Sequence, residues 1–365
     1  MLEQDDPSTS WLKLVVLATL STLGFLLLLV VGTVVFAGFF VYSSLQSFAN
    51  TADTTIPALI ETVRTGTKTP LVNTDGKVTF LVLGSDQLPT RGDAPELTDT
   101  ILLATINTQN AQVGLYSLPR DLWLPDYKTK VNALYAYGKQ REPSDPTRFP
   151  KAVISELTGM PIHYVIVVHL QTLSQLIDAV GGIEVNVEEA FTDTQFPRPD
   201  VDVTKEHDPA KLYQTVTFEH GVEVMSGERV LQYIRSRHAT GNQGTDTARA
   251  KRQQAVISAL LQRLRSPQFW GDVGRVALLY KFYNQQFAQT FPVTQGIALA
   301  VATWPAKSSF NLHTGTATIF PDDAKGALVH PPLSKYRGQW VYEVRDLNLL
   351  RESIQQTLTS PAKKE

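Results

Sequence analysis

The longest apolar run in the chain covers residues 11–42. It is dominated by Leu, Val, Phe and small side chains, and no charged residue lies between Lys13 and Asp53. A helix needs about 20 apolar residues to span a bilayer, whereas the apolar part of a cleaved signal peptide has about 7 to 15. The run therefore predicts a retained single-pass anchor at 11–42, after a cytoplasmic tail at 1–10. Because Lys13 is the one basic residue near its start, charge does not set its orientation.

Shorter apolar runs predict the folded part of the chain. They follow a polar segment at 43–77, which we interpret as a stalk with room for one short helix. The runs with the pattern of buried strands are Val78–Gly84, Thr100–Ile106, Gln112–Leu118, 163–169 and 183–187. Turn residues between the second and third runs predict a β-hairpin, and a helix is predicted at 171–179. Strands that alternate with helices indicate an α/β domain with a mixed sheet.

Two later regions carry weaker patterns. Residues 191–218 are polar, contain three prolines and are interpreted as a surface excursion. In the last hundred residues, apolar and polar positions alternate at helical or strand spacing in 276–282, 297–304 and 340–358. None of these segments is long enough to build its own core, so we expect them to pack on the main sheet.

Composition excludes several classes of function. The formal net charge is −2 and the pI is about 6.4, so no basic surface is present for gripping a nucleic-acid backbone. The chain has no cysteine, which excludes disulfides, thiolate nucleophiles and cysteine-ligated zinc. Any chemistry must therefore come from carboxylates, cationic groups and hydroxyls.

Charged residues follow the ends of the predicted strands. In an antiparallel hairpin the start of one strand lies beside the end of the other, so Asp99 is expected beside Arg120 and Asp121. Asp86 follows the first strand and joins the same edge if that strand runs parallel to the third. Open α/β sheets bind ligands at such edges. Taken singly, these side chains are also ordinary turn residues.

A helix with an arginine on its apolar stripe is predicted to start at Thr245 or Asp246. At 3.6 residues per turn, its core-facing positions are Asp246, Arg249, Gln253, Val256, Ile257, Leu260 and Leu264. A buried charge without a partner is costly, so Arg249 must meet a carboxylate or a bound anion.

Other arginines complete a cationic cluster. Arg235 and Arg237 are two residues apart in a segment expected to be extended, so their side chains project to the same side. With Arg120 and Arg249 they would form a pocket suited to phosphate, because guanidinium groups bind phosphate oxygens in pairs. The alternative is a purely structural salt-bridge network, with carboxylates from Asp121, Glu228 and Asp246.

Several separated motifs carry a resemblance to a known family. They are Leu83–Asp86, Thr98–Leu102, Ser117–Asp121, Lys130–Gly138, Val180–Val187, Met225–His238 and Asp246–Gln254. With these motifs, in this order, the sequence resembles the LytR-CpsA-Psr family of wall-polymer ligases. The resemblance implies one catalytic domain of α-β-α layers around a central mixed sheet at 78–358, with core motifs at 78–264 and a C-terminal tail at 359–365.

The same resemblance implies where the chain sits and what each site residue does. It implies a single-pass protein of the bacterial cytoplasmic membrane whose stalk and catalytic domain are extracytoplasmic. Asp86 and Asp99 are implied to serve Mg²⁺, or Mn²⁺ in its place. The implied ligands of a polyprenyl pyrophosphate are Arg120, Lys130, Arg235, Arg237, Arg249 and Gln253, and the lipid tail is implied to enter an apolar cavity. The implied catalytic set is Asp86, Asp99, Arg120 and Asp121, with the base left open between Asp86 and Asp121.

The implied function is a magnesium-dependent phosphotransferase. Its donor is a polyprenyl-pyrophosphate-linked glycan, such as teichoic acid, capsule or another wall polysaccharide, and its acceptor is peptidoglycan. Two alternatives stay open: a polyprenyl-pyrophosphate hydrolase, and a non-enzymatic, membrane-bound lipid-binding regulator of envelope assembly. One departure from the family pattern is Leu97-Thr98, where the family commonly has an arginine. Because of that departure, the sequence does not decide how tightly this edge binds the pyrophosphate or which acceptor it prefers.

Overall fold

The structure, a computed structural model, describes residues 7–85, 95–198, 201, 206, 208–320, 323 and 325–359. Within these residues the strands are β1 (Lys77–Ser85), β2 (Thr98–Asn107), β3 (Gln112–Leu118), β4 (Trp123–Leu124), β5 (Thr129–Lys130), β6 (Tyr164–His169), β7 (Ile183–Val187), β8 (Phe191–Pro197), β9 (Tyr213–Phe218), β10 (Gly221–Met225), β11 (Asn311–Thr316), β12 (Ile319–Phe320), β13 (Leu328–Val329) and β14 (Glu343–Val344). The helices are α1 (Pro7–Thr51), α2 (Ile56–Gly66), α3 (Leu134–Arg141), α4 (Arg148–Thr158), α5 (Leu170–Ala179), α6 (Pro209–Leu212), α7 (Gly227–Arg235), α8 (Asp246–Arg265), α9 (Pro267–Trp270), α10 (Val273–Gln286), α11 (Val293–Thr303) and α12 (Leu347–Thr359).

A five-stranded mixed sheet forms the centre of the domain, in the order β11-β3-β2-β1-β6. β2 lies between β1 and β3 and is antiparallel to both, so those two strands run in the same direction. β6 is parallel to β1, and β11 is parallel to β3. The α/β class, the mixed sheet and the hairpin of β2 and β3 are thereby confirmed.

Helices cover the two faces of this sheet to different extents. On one face Leu81, Leu83 and Leu103 are fully buried beneath α4 and α12. On the other face Val82 and Ile106 stay partly exposed, although α8, α10 and α11 pack over it. This arrangement is the predicted α-β-α layering, with one tightly packed and one looser interface.

A second core lies beside the sheet, where β7 to β10 pack against α5, α7 and α8. β8 and β9 form a hairpin whose Phe191, Phe196 and Phe218 are buried in this core. The prediction that 191–218 is a surface excursion is therefore wrong for both ends of that segment. The many polar residues hid the few apolar side chains that these strands bury, which are Phe191 and Phe196 in β8 and Val216 and Phe218 in β9.

The last hundred residues belong to the same fold, as expected. β11 is an edge strand of the central sheet. α12 packs Leu350, Ile354 and Leu358 into the core of the tightly packed face. α10 and α11 help to cover the other face.

The N-terminal helix α1 extends past the predicted anchor to Thr51, and its segment Leu29–Thr51 is long and apolar enough to cross a membrane. The segment 43–77, predicted as a stalk, contains the last turns of α1 and the whole of α2. Ala49 and Ala52 are buried, and the end of α1 contacts α10. Much of the predicted stalk is thus packed against the domain.

Candidate active site

Strand ends bring predicted site residues together at one edge of the central sheet. β2 starts at this edge, while β1 and β3 end there, at Ser85 and Leu118. Asp99, the second residue of β2, therefore lies beside Arg120, which follows β3, as the hairpin argument predicted. Asp86, the other predicted metal ligand, lies outside the described residues.

Asp99 is held between guanidinium groups. Arg120 Nη1 donates a hydrogen bond of 2.9 Å to Asp99 Oδ1, and Arg237 is ion-paired with Oδ2. Burial raises the pKa of Asp99, but the charges of Arg120, Arg237 and Arg249 lower it by more, so the pKa lies below its ordinary value. The carboxylate is therefore ionised at neutral pH and offsets part of the positive charge of the cluster.

Arg235 and Arg237 reach the site from the end of helix α7. Ser226 caps the N-terminus of this helix, and Val230 and Ile234, four residues apart, bury its inner face. Because these apolar residues have helical spacing, the predicted extended conformation is wrong for Arg235, the last residue of the helix. Arg237 follows in a non-helical turn.

A buried carboxylate that the sequence analysis missed fixes the turn that carries Arg237. Asp193 Oδ2, in β8, accepts hydrogen bonds from the backbone N–H groups of Arg237 and His238, at 3.0 and 3.2 Å. The residue is almost completely buried. Its position contained the signal, because Asp193 shares the buried face of a strand with Phe191, where a carboxylate must have partners.

Helix α8 brings Arg249 and Gln253 to the same edge. Thr245 caps the helix, as predicted, by accepting a hydrogen bond of 3.1 Å from the backbone N–H of Ala248. Arg249 is buried, in agreement with its predicted place on the core-facing stripe. Arg252, also buried, donates hydrogen bonds to three backbone carbonyl groups at 2.7 to 2.8 Å. Arg252 therefore stabilises the fold through these hydrogen bonds, whereas the side chain of Arg249 faces the site.

These side chains line two adjoining cavities. The side chains that line both cavities include Asp99, Thr100, Arg249 and Gln253. The first cavity, of about 40 Å³, is also lined by Arg120 and Tyr342. The second, of about 110 Å³, is also lined by Arg235 and Arg237. The four arginines predicted to bind phosphate thus face adjoining spaces. Tyr342 was not predicted, because it lies far beyond the recognised motifs.

Asp121 and Lys130 lie behind the cavities. One oxygen of Asp121 is 2.6 Å from Lys130 Nζ, and the other is 3.3 Å from Arg120 Nε. Neither residue is among the described side chains that line the two cavities. This geometry favours a positioning role for both, exerted through Arg120. Their predicted roles as a base and as a pyrophosphate ligand stay predictions.

A second carboxylate that was missed, Glu96, lies beside the site. It is buried, and Ser85 Oγ donates a hydrogen bond of 2.7 Å to its Oε1. Lys139 is ion-paired with Oε2, and His169 Nδ1 is 3.3 Å from Oε1. Because Ser85 ends β1 and Glu96 lies just before β2, their hydrogen bond joins the two ends of the connection between these strands.

The donor groups at this edge fit a magnesium ion that is held jointly with a phosphate. The described residues contain no group of three or more His, Cys, Asp or Glu side chains suited to a metal. Mg²⁺ does not need such a group, because it is usually bound through one or two carboxylates and completes its shell with water and substrate phosphates. Asp99, which lines both cavities, supplies one such carboxylate.

A comparison with known families agrees with this geometry. The sequence model of the LytR_cpsA_psr family matches residues 41–283, more than half of the chain. The chain belongs to the LytR-CpsA-Psr family. The resemblance drawn from the motifs is thereby confirmed.

Curated relatives and a solved structure from this family are also similar to the chain. It is 25% identical over 280 residues to the polyisoprenyl-teichoic acid–peptidoglycan teichoic acid transferase TagV of Bacillus subtilis, which covers 75% of this chain and 63% of TagV. It is 26% identical over 259 residues to the transferase TagU of Bacillus cereus, which covers 69% of this chain and 73% of TagU. The crystal structure of B. subtilis TagV aligns with a TM-score of 0.51 and 20% identity over 78% of this chain and 98% of that one. The chain thus spans less than two thirds of the length of TagV, and the structural similarity supports the fold alone.

Leu97-Thr98, where the family resemblance implies an arginine, precedes Asp99 in this LytR-CpsA-Psr member. Leu97 is exposed, and Thr98 is buried with its hydroxyl donating a hydrogen bond of 3.2 Å to the backbone carbonyl of Asn132. Neither residue supplies a cation beside Asp99. Arg237, in the turn after α7, nevertheless forms an ion pair with the carboxylate of Asp99.

Proposed function

We propose that this chain is a membrane-anchored phosphotransferase that moves a glycopolymer from polyprenyl pyrophosphate onto peptidoglycan. The observation that carries the proposal is the convergence of Arg120, Arg235, Arg237 and Arg249 around Asp99. The relatives TagV and TagU, named as teichoic acid transferases, support the same class of reaction. The donor is then a lipid-linked teichoic acid or another wall glycopolymer.

The charge balance of the cluster suits a pyrophosphate. Besides Asp99, the second cavity is lined by Asp193, whose carboxylate already accepts backbone hydrogen bonds. The four guanidinium groups present several cationic donors to the two cavities. A pyrophosphate diester brings two negative charges and several oxygens, which guanidinium groups bind in pairs.

The apolar face below the cluster favours a lipid as the carrier of that pyrophosphate. Val82, Ala104, Ile106 and Ile166 on this face are partly exposed, unlike the fully buried positions on the opposite face. Gly84, two residues from Val82 on the same strand face, lines the second cavity. A polyprenyl tail on this surface would be stabilised by about 25 cal/mol for each Å² of apolar area removed from water.

Asp99 and Asp86 are the residues we propose to hold Mg²⁺, or Mn²⁺ in its place. In the sequence, Asp86 directly follows Ser85, and Ser85 ends β1 at the edge where Asp99 lies. When bound, the ion would supply positive charge that offsets the negative charge developing on the phosphate oxygens. The arginines of the chain bind the remaining oxygens and orient the pyrophosphate.

The proposed reaction is an attack by a sugar hydroxyl of peptidoglycan on the glycan-proximal phosphorus. The new bond joins the acceptor oxygen to this phosphorus, and the bond to the bridging oxygen breaks. The products are a phosphodiester between glycopolymer and wall, and a lipid monophosphate that keeps the bridging oxygen. Arg120, Arg237 and Arg249 neutralise the leaving phosphate. The hydroxyl proton passes to Asp86 or Asp121, of which Asp121 is already paired with two cations.

An extracytoplasmic orientation of the domain belongs to the same proposal. Peptidoglycan lies outside the cytoplasmic membrane, where a transfer reaction has no ATP and must carry its own driving force. The pyrophosphate linkage of the donor supplies that force. The helix α1 would then cross the membrane and leave only the N-terminal residues in the cytoplasm.

A larger cleft of about 900 Å³ offers the acceptor a route to the phosphorus. It lies along α8 and shares Thr247 and Thr316 with the first cavity. Its walls include carboxylate and amide groups, among them Glu184, Asn186 and Gln262. Such groups suit the hydroxyls and amides of a sugar chain. We assign this cleft to the acceptor strand.

The experiment that tests the function incubates the purified full chain with a lipid-pyrophosphate-linked glycan, peptidoglycan and Mg²⁺. The proposal predicts a phosphodiester on the wall, and no turnover in excess EDTA. Release of a free phosphorylated polymer would indicate a hydrolase instead. Binding of the donor without any product would indicate a lipid-binding regulator.

A further inference from the structure

Large apolar side chains are exposed on two helices of the domain, away from the site. On α2, Ile60 and Val63 are 62% and 54% exposed. On α11, Val301 is 50% exposed, and Trp304, which directly follows that helix, is 65% exposed. We call these four residues the α2/α11 surface. They add nothing to the core, so their exposure needs another explanation.

Each pair lies on one side of its helix, because residues three apart on a helix are neighbours. The two helices contact each other near the C-terminus of α2, where Gly66 packs closely against Ile297. Further along the chain, the backbone carbonyl of Pro70 accepts a hydrogen bond of 3.3 Å from Gln295. As the chain advances from 66 to 70, its contacts move backwards along α11. The chain at the end of α2 therefore runs antiparallel to α11, a direction that points the start of α2 toward the C-terminus of α11.

This arrangement places the α2/α11 surface beside the end of the membrane anchor. Only residues 52–55 separate α1 from α2. The end of α1 is fixed on α10, where Phe48 and Tyr280 have ring centroids 5.7 Å apart and Lys281 Nζ is 2.6 Å from a carboxylate oxygen of Asp53. The anchor thus meets the domain at a fixed place, next to which the exposed apolar residues are found.

Cationic side chains accompany the apolar ones. Lys307 Nζ lies 3.6 Å from the ring centroid of Trp304. Arg64, next to Val63, is exposed, and it forms an ion pair of 3.9 Å with Glu61. Tryptophan, aliphatic side chains and cations together are typical of protein surfaces at the boundary between headgroups and acyl chains. Anionic lipids attract such cations.

We propose that the α2/α11 surface lies in the headgroup region of the bilayer and forms a second membrane contact beside the anchor. Two contacts fix the orientation of the domain, where a single helix would leave it free to tilt. The bilayer is favoured over a second copy of the chain because the surface is continuous with a helix built to cross a membrane. The inference does not depend on the reaction that the domain catalyses.

The absence of cysteine from the natural chain makes a direct test simple. Single-cysteine variants Ile60→Cys and Trp304→Cys of the full chain are labelled with an environment-sensitive fluorophore. They are reconstituted in vesicles of phosphatidylethanolamine and phosphatidylglycerol, with or without lipids that carry a quencher on the acyl chain. Val34→Cys, in the anchor, is the positive control. Val222→Cys, on β10 and 71% exposed, is the matched negative control.

The proposal predicts that labels at 60 and 304 shift to the blue and are quenched at least twofold, as at 34, while the label at 222 does neither. Labels at 60 and 304 that behave like the one at 222, with 34 quenched, would overturn it. So would a blue shift that ignores the quenching lipid and disappears when the protein is diluted in the same lipids, because that result marks a contact between copies.

Discussion

The guanidinium group of Arg237 is ion-paired with the carboxylate of Asp99, although 138 residues separate them in the chain. Arg120 binds the other oxygen of the same carboxylate at 2.9 Å. In the ligand-free protein Asp99 thus occupies the place between two arginines that a phosphate group would take in our proposed complex. Binding of a pyrophosphate would draw both arginines to its oxygens and free Asp99 for a metal ion.

Replacing Asp99 with Asn should destabilise the ligand-free protein at neutral pH, because Arg120 and Arg237 then lose the carboxylate that is ion-paired with both of them. Charged hydrogen bonds contribute about 1.5 to 3 kcal/mol each. The pKa of Asp99 in the folded protein lies below the ordinary 3.8, so its stabilising effect is present above that value and is lost as the pH falls through the lowered pKa. The free energies of unfolding in urea of the wild type and Asp99→Asn should differ at neutral pH and converge only as the pH falls through the lowered pKa of Asp99. A difference that does not change with pH would refute this assignment.

Two arginines of α8 should respond differently to the same substitution. Arg252→Gln removes hydrogen bonds to three backbone carbonyl groups. Since a buried unsatisfied group costs about 1 to 3 kcal/mol, the free energy of unfolding should fall by at least about 2 kcal/mol. Arg249→Gln should instead weaken binding of a prenyl pyrophosphate by about 1.5 to 3 kcal/mol, roughly 10- to 150-fold. Urea unfolding and ligand titration of both variants check this. If Arg249→Gln greatly lowers the free energy of unfolding but leaves the ligand affinity normal, then Arg249 stabilises the fold and does not bind the ligand.

Local sequence patterns were enough for the sheet edge and for α8. Turn residues between Thr100–Ile106 and Gln112–Leu118 predicted the hairpin, and a hairpin by its geometry places Asp99 beside Arg120. Helical periodicity placed Arg249 on the buried stripe of α8 without any knowledge of its surroundings. In both cases the decisive interactions are between neighbours along one element or between adjacent strands.

Asp193→Ala should weaken donor binding even though the Asp193 carboxylate accepts its hydrogen bonds from backbone N–H groups. Its carboxylate fixes the N–H groups of Arg237 and His238, so its loss releases the turn that aims Arg237 at the site. Arg237→Ala is the matched variant, since it removes the charge but leaves the turn in place. We expect both to weaken prenyl pyrophosphate binding about tenfold or more, and the double variant to be little weaker than Arg237→Ala alone. If the losses of binding free energy in the two single variants add up fully in the double variant, then Asp193 does not act through Arg237.

Asp121→Asn distinguishes a positioning residue from a base. If Asp121 orients Arg120 and Lys130, its replacement should lower the rate at every pH and leave the acid limb of the pH–rate profile in place. If Asp121 takes the proton of the acceptor hydroxyl, that limb should disappear. Lys130→Met, which disturbs the same ion pair from the other side, is the control. It should produce a similar loss of rate only if positioning is the role.

Contacts between distant segments account for what the sequence did not reveal. The helical conformation at Arg235 depends on the packing of Ile234 in the second core. This tertiary contact could not be predicted from the local sequence. The burial of Asp193 and Glu96 depends on which strands and helices pack over them. The same is true of Lys130, whose position near the arginine motif hid the fact that its partner is Asp121.

The central claim is that the chain transfers a phosphorus atom together with the glycopolymer, and the lipid product tests it most directly. The full chain is incubated with Mg²⁺, peptidoglycan and a lipid-pyrophosphate-linked glycan whose glycan-proximal phosphorus is radiolabelled. Our account predicts that one labelled phosphorus enters the wall with each polymer chain and that an equal amount of unlabelled lipid monophosphate is released. Labelled lipid pyrophosphate with an unlabelled wall would contradict it, because the sugar–oxygen bond would then have been broken instead.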